Sequence, residues 1–332
     1  MSSVVQGVLY PALRPRDILE FKMPLAPLPE QHRIVAEIEK QFTRLDASLS
    51  ALERVRTNLR RYRSATLVAA CEGRLVPTEA ELARAEGRVV ANGREVATGA
   101  ELFDFITSGS RGWAKYYSDT GAAFLRVGNL DHGSISLDLR HVQRVRPPAT
   151  AEGTRTRVRA SDILISITAD VGMIAVIPKE IEETYINQHL ALARPCVAVN
   201  PAYLGWMLAS APGQAQFDEL RRGATKVGLG LDDIRALSVP LPPLAEQHRI
   251  VAEVERRLSL VEKLEAVVDV AQKRAAALRQ SILKRAFEGK LVEQDPDDER
   301  ADALLERIRA ERAASATNGR APKRTGRKNV RA

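Results

Sequence analysis

The sequence predicts an α+β protein: a β-rich globular domain flanked by two long α-helices that pair as a coiled coil. Three observations support this. A proline-rich stretch at 24–37 recurs at 240–253, 216 residues later. Each copy is followed by apolar residues at alternating steps of three and four, the spacing of a coiled-coil seam. Between the copies, residues 101–238 lose this period and show short strand-like runs broken by glycine and proline.

Both copies of the repeat predict the same start and end of a helix. They share the pattern PLxPLxEQHRIVAE, and the register holds without a gap to EGRLV at 72–76 and EGKLV at 288–292. The prolines prevent a preceding helix from continuing. Gly73 and Gly289 are placed as C-terminal glycines of the helices. A narrow apolar stripe of this length needs a partner, and the other copy is the nearest candidate.

The predicted seam contains large apolar residues from both helices. In the first helix, over 30–72, these are Ile38, Phe42, Leu45, Leu49, Leu52 and Leu59. In the second, over 246–288, they are Val254, Leu258, Val261, Leu264, Val268 and Leu278.

Composition narrows the class of protein. A hydrophobic fraction of 45% is ordinary for a globular protein. The net charge of +8 favours a polyanionic partner. Cys71 and Cys196 are isolated and lack metal-ligand spacing, which indicates buried thiols in a reducing compartment. The sequence shows no signal peptide and no apolar run of transmembrane length, so we expect a soluble intracellular protein.

The repeated start, the long helix and the E-G-[RK]-L-V ending resemble the DNA-specificity (S) subunit of type I restriction–modification systems. The order of FLR at 124–126, DILIS at 162–166 and INQ at 186–188 is also similar to a target-recognition domain of that family. In the family, two such domains alternate with two helical regions, which pair antiparallel and hold the domains apart. The resemblance therefore implies that the two long helices of this chain form an antiparallel coiled coil. The resemblance implies a non-catalytic subunit that reads half of a DNA target and docks methyltransferase subunits.

With this resemblance, the sequence is expected to divide into six segments. They are 1–23, the remnant of a first target-recognition domain; 24–76, the first proline turn and long helix; 77–100, a linker; 101–238, the target-recognition domain; 239–292, the second proline turn and long helix; and 293–332, a short helix and a basic disordered tail. One complete recognition domain is therefore expected. A true half-subunit and a truncated gene product fit the sequence equally.

The resemblance also implies partners. These are double-stranded DNA, methyltransferase (M) subunits and the restriction/translocase (R) subunit, in the cytoplasm of a prokaryotic cell. A homodimer or a second half-specificity chain would provide a second recognition domain. S-adenosylmethionine and ATP with Mg²⁺ are expected on the partner subunits, and no cofactor or metal on this chain. Two other functions remain open: a coiled-coil scaffold for protein interaction, or an inactive gene fragment.

One tetrapeptide requires a separate interpretation. Residues 200–203, Asn-Pro-Ala-Tyr, differ by one residue from the NPPY motif of amino-methyltransferases. The second proline is absent, and no glycine-rich nucleotide-binding turn follows a strand upstream. Asn200 and Pro201 instead fit the first positions of a helix. The sequence therefore predicts no methyl transfer by this chain.

Candidate DNA readers are residues that can reach base edges or phosphates from loops. They cluster in a loop over 108–117, at a strand end near 126–129, beside a strand at 187–188, and in a basic stretch over 221–226. The candidates are Ser110, Arg111, Trp113, Lys115, Tyr116, Arg126, Asn129, Asn187, Gln188, Arg221, Arg222, Thr225 and Lys226.

Structural alternatives stay open for several of these candidates. Trp113 could pack inward, Asn129 could be a turn residue, and Arg221 could serve a helix C-terminus. Arginines between 140 and 159 suit DNA phosphates or a solvated surface equally well.

Overall fold

The computed structural model describes residues 15–88, 95–109, 111–147, 151–221 and 228–318. The chain forms two compact units. One unit combines residues 1–55 with 267–332, and the other contains 56–266. The predicted fold class is confirmed: a β-rich globular body occurs together with two helices of 44 residues each.

Within the described residues, the helices and strands have the following bounds. The helices are α1 (Pro15–Leu19), α2 (Leu28–Cys71), α3 (Glu79–Ala85), α4 (Gly99–Leu102), α5 (Ala151–Thr156), α6 (Pro201–Ala209), α7 (Ala211–Leu220), α8 (Leu231–Ala236), α9 (Leu244–Phe287) and α10 (Ala301–Asn318). The strands are β1 (Glu95–Thr98), β2 (Phe103–Ser108), β3 (Tyr117–Ser118), β4 (Ala122–Leu125), β5 (Gln143–Val145), β6 (Ile163–Ser166), β7 (Ile174–Val176), β8 (Thr184–Ile186), β9 (Leu190–Pro195) and β10 (Ser238–Leu241). Two 3-10 turns span Trp113–Tyr116 and Val127–Asn129.

The unit formed by residues 56–266 contains two four-stranded sheets. One has the order β2-β9-β6-β7 and is antiparallel throughout. The other has the order β3-β5-β4-β8, in which only the β4–β8 pair is parallel. A third, two-stranded ladder joins β1 to β10. The segment 77–100, expected as a linker, is thus hydrogen-bonded through β1 to the second proline-rich block.

Alternation along β6 explains why this sheet is buried on both faces. Successive side chains of a strand point to opposite faces. Ile163 and Ile165 pack in one hydrophobic cluster, whereas Leu164 packs in another. A strand buried on both sides reads as a continuous apolar run, which is what the ILI sequence shows.

The larger cluster also contains the helices of this unit. Ile250, Val254 and Leu258 of α9 join Leu67 of α2 and Tyr203 of α6 in the same core. The globular body and this part of the helix pair are therefore packed as one hydrophobic interior.

The repeated Glu-Gln pair ties each proline-rich block to its helix. The Gln247 amide donates to the Pro242 carbonyl at 2.8 Å, and Gln31 donates to Ala26 at 2.7 Å in the first copy. Gln247 also accepts a hydrogen bond from the Asn200 backbone N–H at 2.9 Å. The recurrence of this glutamine thus reflects the same local bond in both copies.

The long helices run antiparallel in each unit. In the first unit, Asp46 faces Arg279 at 3.5 Å, and Glu53 accepts a hydrogen bond from Gln272. Moving seven residues forward along α2 moves seven residues backward along α9. In the second unit, the Arg63 guanidinium lies 3.7 Å from the Glu265 carboxylate. The antiparallel pairing implied by the family resemblance is confirmed.

Burial of the predicted seam residues varies along the two helices. The buried members are Leu45, Leu59, Val254, Leu258, Val261 and Val268. The half-buried members are Ile38, Phe42, Leu49 and Leu52.

Leu264 and Leu278 were misassigned to the seam. They are 42% and 52% exposed, respectively. The heptad spacing passes through their neighbours Glu265 and Arg279, which face charged residues of α2. Because the seam was assigned from apolar residues alone, Leu264 and Leu278 were chosen in place of the adjacent polar seam residues Glu265 and Arg279. No helix in the described residues is long and apolar enough to cross a membrane.

Candidate nucleic-acid interface

Three strand ends meet at one edge of the β-rich body. Because β4 and β8 are parallel neighbours, Leu125 pairs with Ile186 and both strands end side by side. The Asn187 N–H donates to the Leu125 carbonyl at 3.1 Å. The end of β2 joins them, since the Gly109 N–H donates to the Leu190 carbonyl at 3.1 Å. We call the loops that follow β2, β4 and β8 at this edge the strand-end rim.

Gly109 allows the closest approach within this rim. A Cβ atom built on Gly109 would lie 2.1 Å from the Asn187 carbonyl oxygen, closer than any real side chain comes. Only glycine therefore permits the loop after β2 to lie against the loop after β8.

An aromatic cluster supports the rim from beneath. Trp113 is 2% exposed and stacks on Phe124, with ring centroids 5.2 Å apart and an interplanar angle of 12°. Its ring also lies 5.4 Å from that of Tyr185, which neighbours Phe124 across β4 and β8. Trp113 is thus a core residue here, and the inward-packing alternative describes its position.

Tyr185 keeps its proton in this cluster. Its hydroxyl donates to the Glu183 carboxylate at 2.6 Å. Burial, together with that carboxylate, raises the pKa of Tyr185 to about 12. The phenol therefore stays neutral at physiological pH, as a packed aromatic group requires.

Asn129 has a structural role in place of the predicted base contact. Its side chain is buried, and its carbonyl oxygen accepts the Arg126 N–H at 2.9 Å. Its amide nitrogen donates to the carbonyls of Asp138 at 2.9 Å and His141 at 3.3 Å. These three bonds close the loop after β4 and leave the neighbouring Arg126 side chain exposed.

The loop after β8 presents a linked set of polar side chains. Asn187 is largely buried, and its side-chain oxygen accepts the His189 N–H at 3.2 Å. The Gln188 amide lies 3.0 Å from the His189 ring, whose other nitrogen contacts the Thr168 hydroxyl. Gln188 remains half-exposed. Nothing in the sequence pattern indicated Thr168, because its contact depends on the end of β6 reaching this rim.

The fourth predicted cluster is only partly described. Arg221 is exposed and pairs with Asp218 at 3.3 Å, one helical turn earlier. Ser110, Arg222, Thr225 and Lys226 lie outside the described residues. Gly228, the next described residue after that basic stretch, forms a β-bridge with Thr168, whose hydroxyl contacts His189 of the rim.

The exposed polar groups of the rim are mainly hydrogen-bond donors. Arg111, Lys115 and Arg126 are exposed, and the Lys115 ammonium lies 4.9 Å from the centre of the half-buried Tyr116 ring. Arginine and lysine offer donors that match the acceptor pair on guanine, and an amide such as that of Gln188 matches adenine. Among the described residues, no His, Cys, Asp and Glu side chains cluster to hold a metal ion.

Comparison with known proteins shows what the chain is similar to. Residues 149–266 match a family model described as the type I restriction modification DNA specificity domain. The chain is 28% identical over 321 residues to the EcoBI specificity subunit of Escherichia coli, covering 91% of this chain and 67% of the relative. It is 26% identical over 332 residues to the EcoKI specificity subunit of E. coli strain K12, covering 95% and 69%.

A solved structure supports the fold. A chain from a study of complex assembly and conformational transition of the type I R-M system has a TM-score of 0.67 at 24% identity, over 86% of this chain and 66% of that one. The present chain thus spans about two thirds of the length of the relatives that it matches. The matched specificity domain includes β8, whose loop belongs to the rim, and β6, β9 and α6 of the core, whereas the rim loops after β2 and β4 precede it. Residues 149–266 thus match a type I restriction modification DNA specificity domain, and more than nine tenths of the chain is similar to specificity subunits of type I restriction enzymes.

Proposed function

We propose that the strand-end rim reads one half of a DNA target sequence. The observation that carries this proposal is the meeting of three strand ends whose exposed side chains include Arg111, Lys115 and Arg126. Loops on a rigid scaffold are the usual place for recognition residues. The buried aromatic cluster and Asn129 supply that rigidity here, because they hold the backbone beneath the exposed cations.

The rim residues divide into two groups by the contacts they would make. Arg111 and Arg126 carry forked donors, and Gln188 carries an amide with one donor and one acceptor group, and both arrangements suit base edges in the major groove. Lys115 is a point charge on a flexible stem, which suits phosphate. Arg221 would extend this surface, and Arg222, Thr225 and Lys226, which lie outside the described residues, stay candidate DNA contacts from the sequence. Phosphate contacts would fix the register of the domain, and base contacts would select the sequence.

The helix pair would hold the recognition domain at a set distance and dock methyltransferase (M) subunits. Arg63 supports a positioning role, since it lies near Glu262 and Glu265 of α9 and donates to the Gly133 carbonyl at 2.6 Å. One side chain thus connects both helices to a loop of the globular body. A restriction/translocase (R) subunit would join the same complex in the cytoplasm, and S-adenosylmethionine and ATP with Mg²⁺ would bind those partners.

Single alanine variants at the rim test this function. Arg111→Ala and Arg126→Ala should each weaken binding to a target duplex. A base-edge contact would cost about 1–3 kcal/mol and relax one position of the site, whereas a phosphate contact would weaken all sequences equally. Arg84→Ala on α3 is the control, because Arg84 is exposed outside the rim loops. Unchanged affinity and an unchanged methylation pattern in both rim variants would contradict the proposal.

A further inference from the structure

A second basic feature lies beside the rim and has no part in the function described so far. Phe105 of β2, Arg194 of β9 and the segment 155–159 line an open groove of about 900 Å³. Three further arginines, Arg155, Arg157 and Arg159, come from that segment. We call this feature the arginine groove.

Strand geometry explains why Arg157 and Arg159 share one side of this segment. Thr156 and Val158 are buried. The Val158 N–H donates to the Thr184 carbonyl at 3.0 Å, and Arg157 forms a β-bridge with Tyr185. In an extended segment alternate side chains point to opposite sides. Burial of Val158 therefore turns Arg157 and Arg159 outward, with a step of roughly 6.6 Å between them, while Arg155 lies in the last turn of α5.

The floor of the groove is already neutralised. Arg194 donates two hydrogen bonds of 2.8 Å to the fully buried Asp162 carboxylate. Its guanidinium also lies 5.3 Å from the centre of the Phe105 ring. Asp162 additionally accepts the Arg159 backbone N–H at 2.7 Å. Arg194 is thus fixed as part of the fold, and its charge is compensated.

The outer row of the groove keeps its positive charge. Among the described side chains, no carboxylate forms an ion pair with Arg157 or Arg159. Both are exposed. Two outward guanidinium groups in an extended row, over a floor that is already neutral, suit a row of phosphates better than a single small anion.

Arg155 links the groove to the rim. Its guanidinium donates to the Ser108 carbonyl at 2.8 Å and also contacts the Thr107 hydroxyl. Ser108 directly precedes Gly109, where the loop carrying Arg111 begins. A strand of DNA held at the rim would therefore continue along the groove.

We propose that the arginine groove binds the sugar–phosphate backbone of the DNA flanking the target bases, through Arg157 and Arg159. This inference rests on the proposed function of the rim. Arg155 is a positioning residue, because its guanidinium holds the end of β2. The contact is independent of sequence, since guanidinium–phosphate pairs carry no base information.

The test measures salt-dependent binding of the full chain to two duplexes. One duplex contains the DNA sequence at which methylation occurs in cells. The other contains a scrambled version of that sequence with the same flanks. The Arg157→Ala/Arg159→Ala double variant should weaken binding to both duplexes by the same factor, on the order of ten-fold to a hundred-fold at low salt. The slope of log K against log salt should fall by about two units, about one per arginine.

Two controls make the result specific. The Arg157→Lys/Arg159→Lys variant should recover most of the salt slope, because it preserves the charge. Arg84→Ala should leave the slope unchanged. The melting temperature of each variant is measured together with its DNA binding, so that loss of folding cannot imitate loss of binding.

The outcomes separate this inference from the proposal on which it rests. If wild type binds the target but the double alanine variant keeps its affinity and slope, the arginine groove does not contact DNA, and the rim stands. The groove is also excluded as a backbone contact if the variant loses affinity for the target duplex alone. If wild type shows no salt-dependent DNA binding at all, the rim proposal fails, and the groove proposal fails with it.

Discussion

Arg126 and Asn129 show how three residues of sequence separate a candidate reader from a structural side chain. Both carry hydrogen-bond donors, and both follow β4. Asn129 is buried because the loop containing Asp138 and His141 turns back over it and supplies two acceptors. That return could not be predicted from the sequence, since it depends on tertiary contacts and not on local pattern. For the same reason, the sequence left open whether Trp113 packs inward or faces DNA.

Substitution of Asn129 should therefore lower stability, whereas substitution of Arg126 should weaken DNA binding. Asn129→Ala leaves three backbone groups without partners and should lower the free energy of unfolding by about 1–3 kcal/mol. Arg126→Ala removes an exposed side chain and should change stability by less than about 0.5 kcal/mol, while weakening DNA binding. Chemical unfolding followed by tryptophan fluorescence measures both, because Trp113 and Trp206 lie in the same unit. Equal stability of the two variants would refute the structural role of Asn129.

At the scale of single elements, the seam of the helix pair combines apolar and polar positions. The sequence repeat predicted both long helices, because heptad spacing and the glycine ends are local signals, and the family resemblance implied their antiparallel order. It placed Leu264 and Leu278 in the seam because Glu265 and Arg279 did not match an apolar pattern. Polar seam residues of this kind can fix the register and orientation of paired helices.

Two aspartate substitutions on α9 test this corrected seam. Val268 is 4% exposed, so Val268→Asp buries an unpaired carboxylate and should cost several kcal/mol, on the order of 3–5. Leu278→Asp is the control in the same unit and should change stability by less than about 1 kcal/mol, because that side chain is exposed. Helical circular dichroism during thermal unfolding reports the difference. If Leu278→Asp were as unstable as Val268→Asp, Leu278 would belong to the seam and the corrected assignment would be wrong.

At the scale of the whole molecule, the repeat predicted the architecture, and the position of the rim followed from strand pairing. Proline-rich starts, helices and glycine ends recur 216 residues apart, so they could be recognised without a structure. The meeting of the loops after β2, β4 and β8 could not be predicted, because β4 and β8 pair in parallel across a long stretch of intervening chain. The sequence therefore supplied candidate readers, and the tertiary fold selected among them.

The two copies of the repeat also offer a matched comparison. Gln247 is 1% exposed and joins the Pro242 carbonyl to the Asn200 N–H, which belongs to the globular core. Gln31 makes the corresponding bond to Ala26 but is half-buried. Gln247→Ala should therefore lower the unfolding free energy by about 1–3 kcal/mol, and Gln31→Ala by less. Urea unfolding of the two variants measures both losses of unfolding free energy. A larger loss for Gln31→Ala would contradict the proposed role of Gln247 in joining helix and core.

The most direct measurement of the central claim is a genome-wide map of methylated adenines in cells that carry wild-type chain, no chain, or the Arg111→Ala or Arg126→Ala variant. If this chain selects the DNA target, a defined sequence loses methylation when the chain is absent, and at least one variant relaxes or removes a single position of that sequence. The same set of methylated sites in all four strains would contradict the account.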